Sequence, residues 1–477
     1  MVRVIRGALL TATLIATAIF FVRTGSILHR AFPPASVFFH GFEPPHIVAS
    51  PAVERKRSTS SSHQMPAVDP QLHGSVQQHA QPPPAQATAN FHVVFSTGCS
   101  SGQEWQSFAL FHSILMVDQP GDVTRVASGC TDEQLVALQA THQQTVATMS
   151  DRFHLHVTPN FSRVMKGKDY KFFNKPFGLR HWMQQSLGFP SATDNDDTIF
   201  IILDPDQIVI RPFLRDYTDE KELWHPQNQP PIHTVVTRGQ PMAQVYGFGT
   251  GWMRKMNMTA IFNTTVDNWN TETVAKHYVA GPPYVGVGRD MYNIVNTWAN
   301  IAVPVYQQTT DHLSEMWAYV TAAVRQKLPH QMLNSFMVSD VSSSRGEAWQ
   351  WIDDANAARK GQQPIPHVIH YCQRYFLGPY FFSKYQLPKD FFTNCAHPLL
   401  AEPDARIERI YNSSYTLDGN FHTVPETLRP RMGYMLREIT RRLNDAAVYY
   451  KERHCIPSTA NYSRSFLFVR KKKKQAK

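Results

Sequence analysis

The sequence predicts an α/β fold with a largely parallel, doubly wound sheet of the Rossmann-like type. Segments with strand-like and helix-like periodicity alternate from Phe91 onward. The run at 198–203 (TIFIIL) is almost wholly apolar, and continuous hydrophobicity indicates a central strand that is buried on both faces. The aromatic content of 12% supplies large side chains for a core. Together these three observations favour helices packed on both faces of one sheet.

The individual elements follow from the spacing of apolar residues. Strands are predicted at 91–96, 124–127, 153–157, 198–203, 208–212 and 366–371, and helices at 104–116, 175–187, 291–302, 315–327 and 425–450. The last helix places Met435, Ile439, Leu443 and Ala446 on one face, as expected of an amphipathic helix that packs on a core.

The N-terminal segment reads as a signal anchor. An uncharged stretch runs from Gly7 to Val22, with Arg3 and Arg6 before it and Arg23 after it. At roughly 16 residues the stretch is short for a membrane span, so a cleaved signal peptide is the alternative. The basic residues before the stretch predict a cytosolic N-terminus and a luminal remainder. We therefore expect a cytosolic tail and anchor over 1–30.

Composition divides the rest of the chain. Residues 31–90 are rich in Pro, Ser, His and Gln, a composition that predicts a disordered stem because it buries too little apolar surface. Residues 91–400 are predicted to form the α/β domain, and 401–477 a helical C-terminal extension with a basic tail. This layout is typical of single-pass type II enzymes of the Golgi or ER, although a tethered lectin would share it.

The charge balance does not indicate a nucleic-acid partner. The net charge is +10, and six basic residues lie in the last eight positions, so the rest of the chain carries 10 − 6 = +4. A terminal charge run is usually solvated. No nucleic-acid-binding motif accompanies it.

The cysteines and the glycosylation sequons agree with a luminal domain. Five cysteines are too few for a disulfide scaffold, and we expect Cys99 to pair with Cys130 and Cys372 with Cys395, leaving Cys455 free, although spacing alone does not fix this connectivity. Acceptor sequons for N-glycosylation start at Asn160, Asn257, Asn263, Asn412 and Asn461.

The candidate chemistry follows the central strand. Asp204-Pro205-Asp206 comes directly after the apolar run, and ligands of open α/β sheets gather at the carboxyl ends of the strands. Two carboxylates separated by one residue can hold one divalent ion that also grips a diphosphate. The pair is therefore predicted to bind a metal, while a surface turn is the plain alternative.

Several motifs, taken in order, resemble the plant and algal peptidyl serine galactosyltransferases and hydroxyproline arabinosyltransferases. They are FSTGC at 95–99, WQ at 105–106, HS at 112–113, QPG at 119–121, TR at 124–125, CTDE at 130–133, NKP at 174–176, DPD at 204–206, SEMWAY at 314–319 and HY at 370–371. The resemblance implies a GT-A-like fold, a UDP-sugar donor, Mn²⁺ or another divalent cation, and an O-linked protein acceptor with retention at the sugar. It leaves galactose and arabinose open as the donor sugar, with the opening motifs closer to the galactosyltransferases.

The remaining site residues are assigned with their alternatives. Thr97, Arg125, Asn174, Lys175, Asp204 and Arg374 are predicted to bind the donor; Asp204, Asp206 and His370 to hold the metal; and Glu315 and Asp206 to act in catalysis. Lys175 would neutralise the leaving diphosphate, or be an exposed lysine after a helix cap. Glu315 would orient the acceptor, or merely favour the first turn of a helix. His367 is the alternative to His370.

The function predicted from the sequence is therefore transfer of galactose or arabinose from a UDP-sugar to Ser or hydroxyproline of a secreted protein in the Golgi or ER lumen. An enzyme acting on a polysaccharide or lipid shares every motif. A tethered sugar-binding protein without turnover is the other alternative, and the intact Asp204/Asp206 pair argues against it.

Overall fold

The computed structural model describes residues 90–220, 231–343, 346–347, 349–353, 366–415 and 421–467, all of which belong to one compact unit. The predicted anchor, the stem up to residue 89 and the basic tail from 468 lie outside these residues. Within the described part of the chain, no helix combines the length and the apolar character that crossing a membrane requires.

Sixteen strands are present in the described residues. They are β1 (Phe91–Gly98), β2 (Asp122–Ser128), β3 (Phe153–Thr158), β4 (Ile199–Leu203), β5 (Gln207–Val209), β6 (Met242–Val245), β7 (Ala280–Val287), β8 (Gln331–Leu333), β9 (Met337–Val338), β10 (Val368–His370), β11 (Tyr375–Leu377), β12 (Tyr380–Phe382), β13 (Leu399–Leu400), β14 (Ser413–Tyr415), β15 (Phe421–Thr423) and β16 (Arg464–Ser465).

The α-helices of the same residues are unequal in length. They are α1 (Ser101–Met116), α2 (Asp132–Thr141), α3 (Asn174–Gln185), α4 (Met258–Phe262), α5 (Thr271–His277), α6 (Gly288–Thr309), α7 (Ser314–Arg325), α8 (Gln350–Asp353), α9 (Ile407–Ile410) and α10 (Arg429–His454). A short π-helical segment, His142–Val146, continues α2.

The main sheet has seven strands in the order β3-β2-β1-β4-β7-β6-β8. Its first four strands are parallel, with Phe95 of β1 opposite both Arg125 of β2 and Leu203 of β4. Strand β7 is antiparallel to its neighbours β4 and β6, whereas β6 and β8 are parallel. The predicted α/β class is confirmed, and the sheet is mixed because β7 reverses the direction.

Helices cover both faces of this sheet, as the apolar run of β4 predicts. All five residues of β4 are buried. Ile199, Ile201 and Leu203 pack in one hydrophobic cluster with α1 and α10, while Phe200 and Ile202 pack in the other with α3, α6 and α7. The alternation along β4 therefore places its side chains in both cores, one on each face of the sheet.

The long C-terminal helix α10 joins the first of these cores. Its residues Met435, Ile439, Leu443 and Ala446 are fully buried, as their helical spacing predicts. The helix contacts α1 and strand β11. The domain boundary near residue 400 stays a prediction, but α10 shares its core with the sheet.

A three-stranded sheet, β5-β10-β9, positions the site. Strand β5 follows the Asp204–Asp206 turn and pairs antiparallel with β10, so that Gln207 lies opposite His370. Strand β9 runs parallel to β10 on its other side. The start of β5 and the end of β10 are thereby brought to the same edge.

The disulfide prediction is half right. Cys99 pairs with Cys130 as expected, but Cys395 pairs with Cys455, and Cys372 is the free thiol. The predicted Cys372–Cys395 pair is therefore wrong. The helix α10 carries Cys455 to the segment after Phe392, where Lys451 donates to the carbonyl oxygens of Cys395 and His397.

Candidate functional site

The turn after β4 presents two carboxylates at the carboxyl edge of the parallel strands. Asp206 is buried, with 6% of its surface exposed, and Asp204 is partly exposed. Gln207, fully buried, fixes the turn because its Oε1 accepts the backbone N–H of Asp204 at 3.0 Å. Gln207 thus has a structural role in the turn.

His370 joins the two aspartates, as the sequence predicts for the metal set. One ligand atom from each of Asp204, Asp206 and His370 lies within 4.8 Å of the others. The Nε2 atom of His370 lies 3.2 Å from Oδ1 of Asp206. On the far side of the ring, Nδ1 is 3.5 Å from the hydroxyl of Tyr246.

The electrostatics around Asp206 favour its ionised form. Burial alone would raise its pKa, but His370 and the ammonium of Lys384 hold the pKa of Asp206 far below its usual range. Burial alone would lower the pKa of His370, yet Cys372 and Asp206 raise it well above its usual value. A metal that took His370 as a ligand would compete with a proton for its ring nitrogen.

Lys175 connects Asp204 to Glu315. Its Nζ donates to Oδ1 of Asp204 at 2.7 Å and lies 3.5 Å from Oε1 of Glu315. The side chain of Lys175 is 12% exposed, and its ammonium lies over the rings of Tyr284 and Trp298, at 5.7 and 5.9 Å from their centroids. The interpretation of Lys175 as an exposed lysine after a cap is wrong.

Glu315 is buried at the start of α7, with 8% exposure. Burial raises the pKa of Glu315 to about 7, Lys175 opposes this shift, and the carboxylate of Asp204 adds to it. Near neutral pH the carboxyl group can therefore either accept or donate a proton beside Asp204.

Two of the predicted donor-binding residues are engaged with each other. Arg125 is 3% exposed; its Nε donates to Oγ1 of Thr97 at 2.9 Å, and its Nη2 lies 2.6 Å from Oε1 of Glu104. Gly98 adds a carbonyl acceptor. These contacts lie at the carboxyl end of β1, and whether Thr97 and Arg125 bind the donor stays a prediction.

The other predicted residues differ in their positions. Asn174 begins α3, where its Oδ1 accepts the backbone N–H of Phe161 at 2.8 Å. Arg374 is exposed in the turn after β10. His367, the alternative ligand, is buried against Phe213 and contacts Arg211, so the structure does not bring it into the cluster.

Sequence reasoning missed Lys384 and Cys372. Lys384 follows β12, and its Nζ donates to Oδ2 of Asp206. The Sγ of Cys372 lies 3.3 Å from the hydroxyl of Ser339, at the end of β9. A weak signal existed for Cys372, which is two residues from His370, whereas nothing in the pattern around Lys384 indicated the site.

The donor set fits a divalent cation. Two carboxylates and an imidazole are the oxygen and nitrogen ligands that Mn²⁺ accepts, and three protein ligands leave coordination positions for a ligand that arrives with the ion. The fold and the cluster together define the class: an α/β protein with a candidate metal centre at the carboxyl edge of its sheet.

Comparison with known proteins confirms the resemblance that the motifs indicate. The chain is 24% identical over 323 residues to a peptidyl serine alpha-galactosyltransferase of Arabidopsis thaliana, a match covering 66% of this chain and 34% of that relative. The chain thus spans about a third of the relative's length. No family model matches the chain.

Solved structures of glycosyltransferases also resemble the chain, but weakly. The galactosyltransferase LgtC in complex with donor and acceptor sugar analogues gives a TM-score of 0.33 at 11% identity, covering 59% of this chain and 87% of that one. The bifunctional glycosyltransferase WbbM gives 0.32 at 10%, covering 60% and 46%. TM-scores below 0.5 do not establish a common fold.

Proposed function

We propose that the chain is a metal-dependent glycosyltransferase that moves a sugar from a UDP-sugar to a protein hydroxyl. The observation that carries the proposal is the convergence of Asp204, Asp206 and His370 to within 4.8 Å at the carboxyl edge of the sheet. Burying the carboxylate of Asp206 and the imidazole of His370 beside the partly exposed Asp204 costs free energy that an ordinary surface turn does not require. It is suited to a divalent cation that grips a diphosphate.

The three ligands come from two separate parts of the chain. Asp204 and Asp206 would hold the ion from the turn after β4, and His370 from the end of β10. When bound, the ion would stabilise the negative charge that develops on the departing diphosphate. The GT-A-like fold, the choice of Mn²⁺ and retention at the sugar are parts of this proposal that come from the resemblance.

The chain's own residues supply the rest of the chemistry. Lys175 fixes the orientation of Asp204 through its 2.7 Å hydrogen bond and places a positive charge beside the leaving group. Glu315, whose pKa is about 7, contacts Lys175 from α7. Its carboxyl group can carry a proton or can bind a hydroxyl group of the acceptor. Residues on α3 and α7 thereby face the turn from the same side of the sheet.

Serine in a secreted protein is the proposed acceptor, and galactose the leading donor sugar. The name of the Arabidopsis relative includes serine and galactose transfer, and the motifs at the start of the domain are closer to the serine galactosyltransferases than to the arabinosyltransferases. Hydroxyproline with arabinose is the other member of the resemblance. A luminal position in the Golgi or ER, reached through the segment 1–30, belongs to the same proposal.

A donor and acceptor panel tests the proposal. The full chain is incubated with Mn²⁺, UDP-galactose or UDP-arabinose, and Ser-Pro or hydroxyproline peptides, and both UDP release and peptide mass are measured. We expect UDP release that requires Mn²⁺, with galactose added to serine. A glycan and a lipid acceptor are supplied in parallel, and transfer to either of them but not to a peptide would overturn the proposed acceptor. UDP binding without turnover on any acceptor would favour a sugar-binding protein.

A further inference from the structure

We propose that Lys384 couples binding of the divalent cation to binding of the nucleotide, because its ammonium competes with the cation for Asp206. This inference rests on the proposed function, and it concerns a lysine to which neither the motifs nor the comparisons give a role.

Both carboxylate oxygens of Asp206 have partners within the protein. Lys384 donates to Oδ2, and His370 lies 3.2 Å from Oδ1. The side chain of Asp206 is 9% exposed and that of Lys384 is 18% exposed, so water screens the pair poorly. A carboxylate oxygen can accept more than one contact, but a cation bound to Asp206 would repel the neighbouring ammonium and compete with it for the same negative charge.

The displaced ammonium needs a new partner. Separating one member of a buried ion pair is costly because it leaves an uncompensated charge. Among the ion pairs of the described residues, Asp206 is the carboxylate that Lys384 contacts. Uptake of the cation alone therefore carries the cost of leaving Lys384 without a carboxylate, with the ring of Tyr385, 5.3 Å from its Nζ, as a remaining contact.

An anion that arrives with the cation removes this cost. The diphosphate of a nucleotide sugar bound to the cation would bring negatively charged oxygens close to Asp206, where the ammonium of Lys384 could pair with them. Each ligand then raises the affinity for the other, and by linkage the two effects are equal. We therefore expect the site to take up cation and nucleotide together rather than one at a time.

Lys175, the other lysine of the site, would not lose its only acidic partner when a cation binds. It contacts Asp204 at 2.7 Å and also Glu315 at 3.5 Å, so it keeps a carboxyl oxygen as a partner if Asp204 turns toward a cation. The coupling is thus assigned to Lys384 and not to positive charge in general.

The test is a thermodynamic cycle on the full chain. The dissociation constant of Mn²⁺ is measured by electron paramagnetic resonance with and without saturating UDP, for the wild-type protein and for Lys384→Met. Lys384→Gln, which keeps a hydrogen-bond donor, is measured in parallel with a thermal melt of each variant. Lys389→Met removes the same charge from an exposed lysine five residues away and is the matched control.

We expect UDP to tighten Mn²⁺ binding about tenfold or more in the wild-type protein, within the usual range of coupling between two sites. Both Lys384 variants should bind Mn²⁺ alone more tightly than the wild type and should show a smaller enhancement by UDP, the remainder coming from direct contact between Mn²⁺ and the diphosphate. Lys389→Met should match the wild type.

Two results would overturn the inference, and they differ in what else they affect. If Mn²⁺ and UDP bind but Lys384→Met and Lys384→Gln keep the wild-type enhancement, the coupling is wrong and the proposed function stands. If the wild-type protein binds neither Mn²⁺ nor UDP, the coupling and the proposed function both fail.

Discussion

The imidazole of His370 lies 3.2 Å from the carboxylate of Asp206, although the two residues come from distant parts of the sequence. Their contact follows from the pairing of β5 with β10, which sets His370 opposite Gln207. Because Asp206 immediately precedes Gln207, the register of two short strands determines the geometry of the candidate metal centre. A shift of one residue would turn His370 to the opposite face.

Replacing Asp206 with Asn should remove metal-dependent activity. The amide keeps the shape of the carboxylate but not its charge, so turnover should fall on the order of a thousandfold as stabilisation of the leaving group is lost. Mn²⁺-dependent UDP binding, measured by calorimetry, should weaken in parallel. Asp197→Asn, an exposed acid in the loop before β4, is the control and should behave like the wild type.

Asp206 should also matter for stability. Asp206→Ala leaves His370 and Lys384 without their shared carboxylate, and breaking a buried ion pair costs about 3–5 kcal/mol. The melting temperature should therefore fall more for Asp206→Ala than for Asp206→Asn.

If Asp206→Asn retains near-normal, Mn²⁺-dependent turnover, the assignment of Asp206 as a metal ligand is wrong, and the acidic loop at 194–197 becomes the next candidate.

Glu315 should make the fold less stable as the pH rises. Burial raises its pKa from the usual 4.5 to about 7, so the folded state holds a proton that the unfolded state has lost. The resulting stabilisation is complete below about pH 4.5 and disappears as the pH rises through about 7. At about 1.4 kcal/mol per pKa unit the effect reaches about 3 kcal/mol.

Calorimetric melts at pH 5 and pH 8 measure this effect. The melting temperature of the wild-type protein should fall more between these values than that of Glu315→Gln, which does not titrate. Glu272→Gln, an exposed first-turn glutamate of α5, should track the wild type. An equal fall for the wild type and Glu315→Gln would mean that Glu315 does not change its protonation in this range.

The disulfide Cys395–Cys455 should anchor the end of α10. It closes a loop with a sequence separation of 60 residues. A disulfide that closes a loop of this size stabilises the folded state by about 3–4 kcal/mol. Cys455→Ser should lower the melting temperature by several degrees. Alkylation of the denatured, unreduced protein followed by mass spectrometry should label Cys372 alone among the five cysteines, whereas labelling of Cys455 in place of Cys372 would contradict the pairing.

The fold was predictable where hydrophobicity is local and periodic. The parallel strands β1 to β4 and the helices α1, α3, α6, α7 and α10 all lie where their apolar spacing places them. Strand β7 was missed because it contains Pro282 and Pro283, residues that normally argue against a central strand. Its neighbours β4 and β6 hold it in the sheet nevertheless, so tertiary packing outweighs local preference.

In the site, likewise, residues with a local sequence signal were predicted, and residues that distant parts of the chain bring in without such a signal were missed. Asp204 and Asp206 were found because a strand-end position has a chemical meaning that the sequence reveals. Lys384 was not found because its contact with Asp206 depends on the hairpin β11–β12, whose strands have three residues each and no distinctive pattern. The second disulfide was mispaired for a similar reason, since α10 decides which cysteine reaches Cys395.

Arg125 and Lys175 are both predicted to bind the donor, and variants of the two residues test whether each of them does. Arg125 holds Glu104 through Nη1 at 3.0 Å and Nη2 at 2.6 Å, and its side chain is 4% exposed. Contact with a phosphate would require Arg125 to release a partly buried carboxylate. We therefore expect Arg125→Met to lower the stability by about 1–3 kcal/mol and to change the dissociation constant of UDP with Mn²⁺ by less than about threefold.

Lys175→Met should behave differently, because Lys175 contacts Asp204 directly and stands beside the proposed diphosphate. Losing one charge-assisted contact should weaken UDP binding by about tenfold or more. The double variant Arg125→Met/Glu104→Gln is the control for stability. Because it removes both members of the ion pair, it should recover part of the stability that Arg125→Met loses. If Arg125→Met instead weakens UDP binding tenfold with an unchanged melting temperature, then Arg125 binds the donor as the motif at 124–125 predicts, and Glu104 must release it when the nucleotide binds.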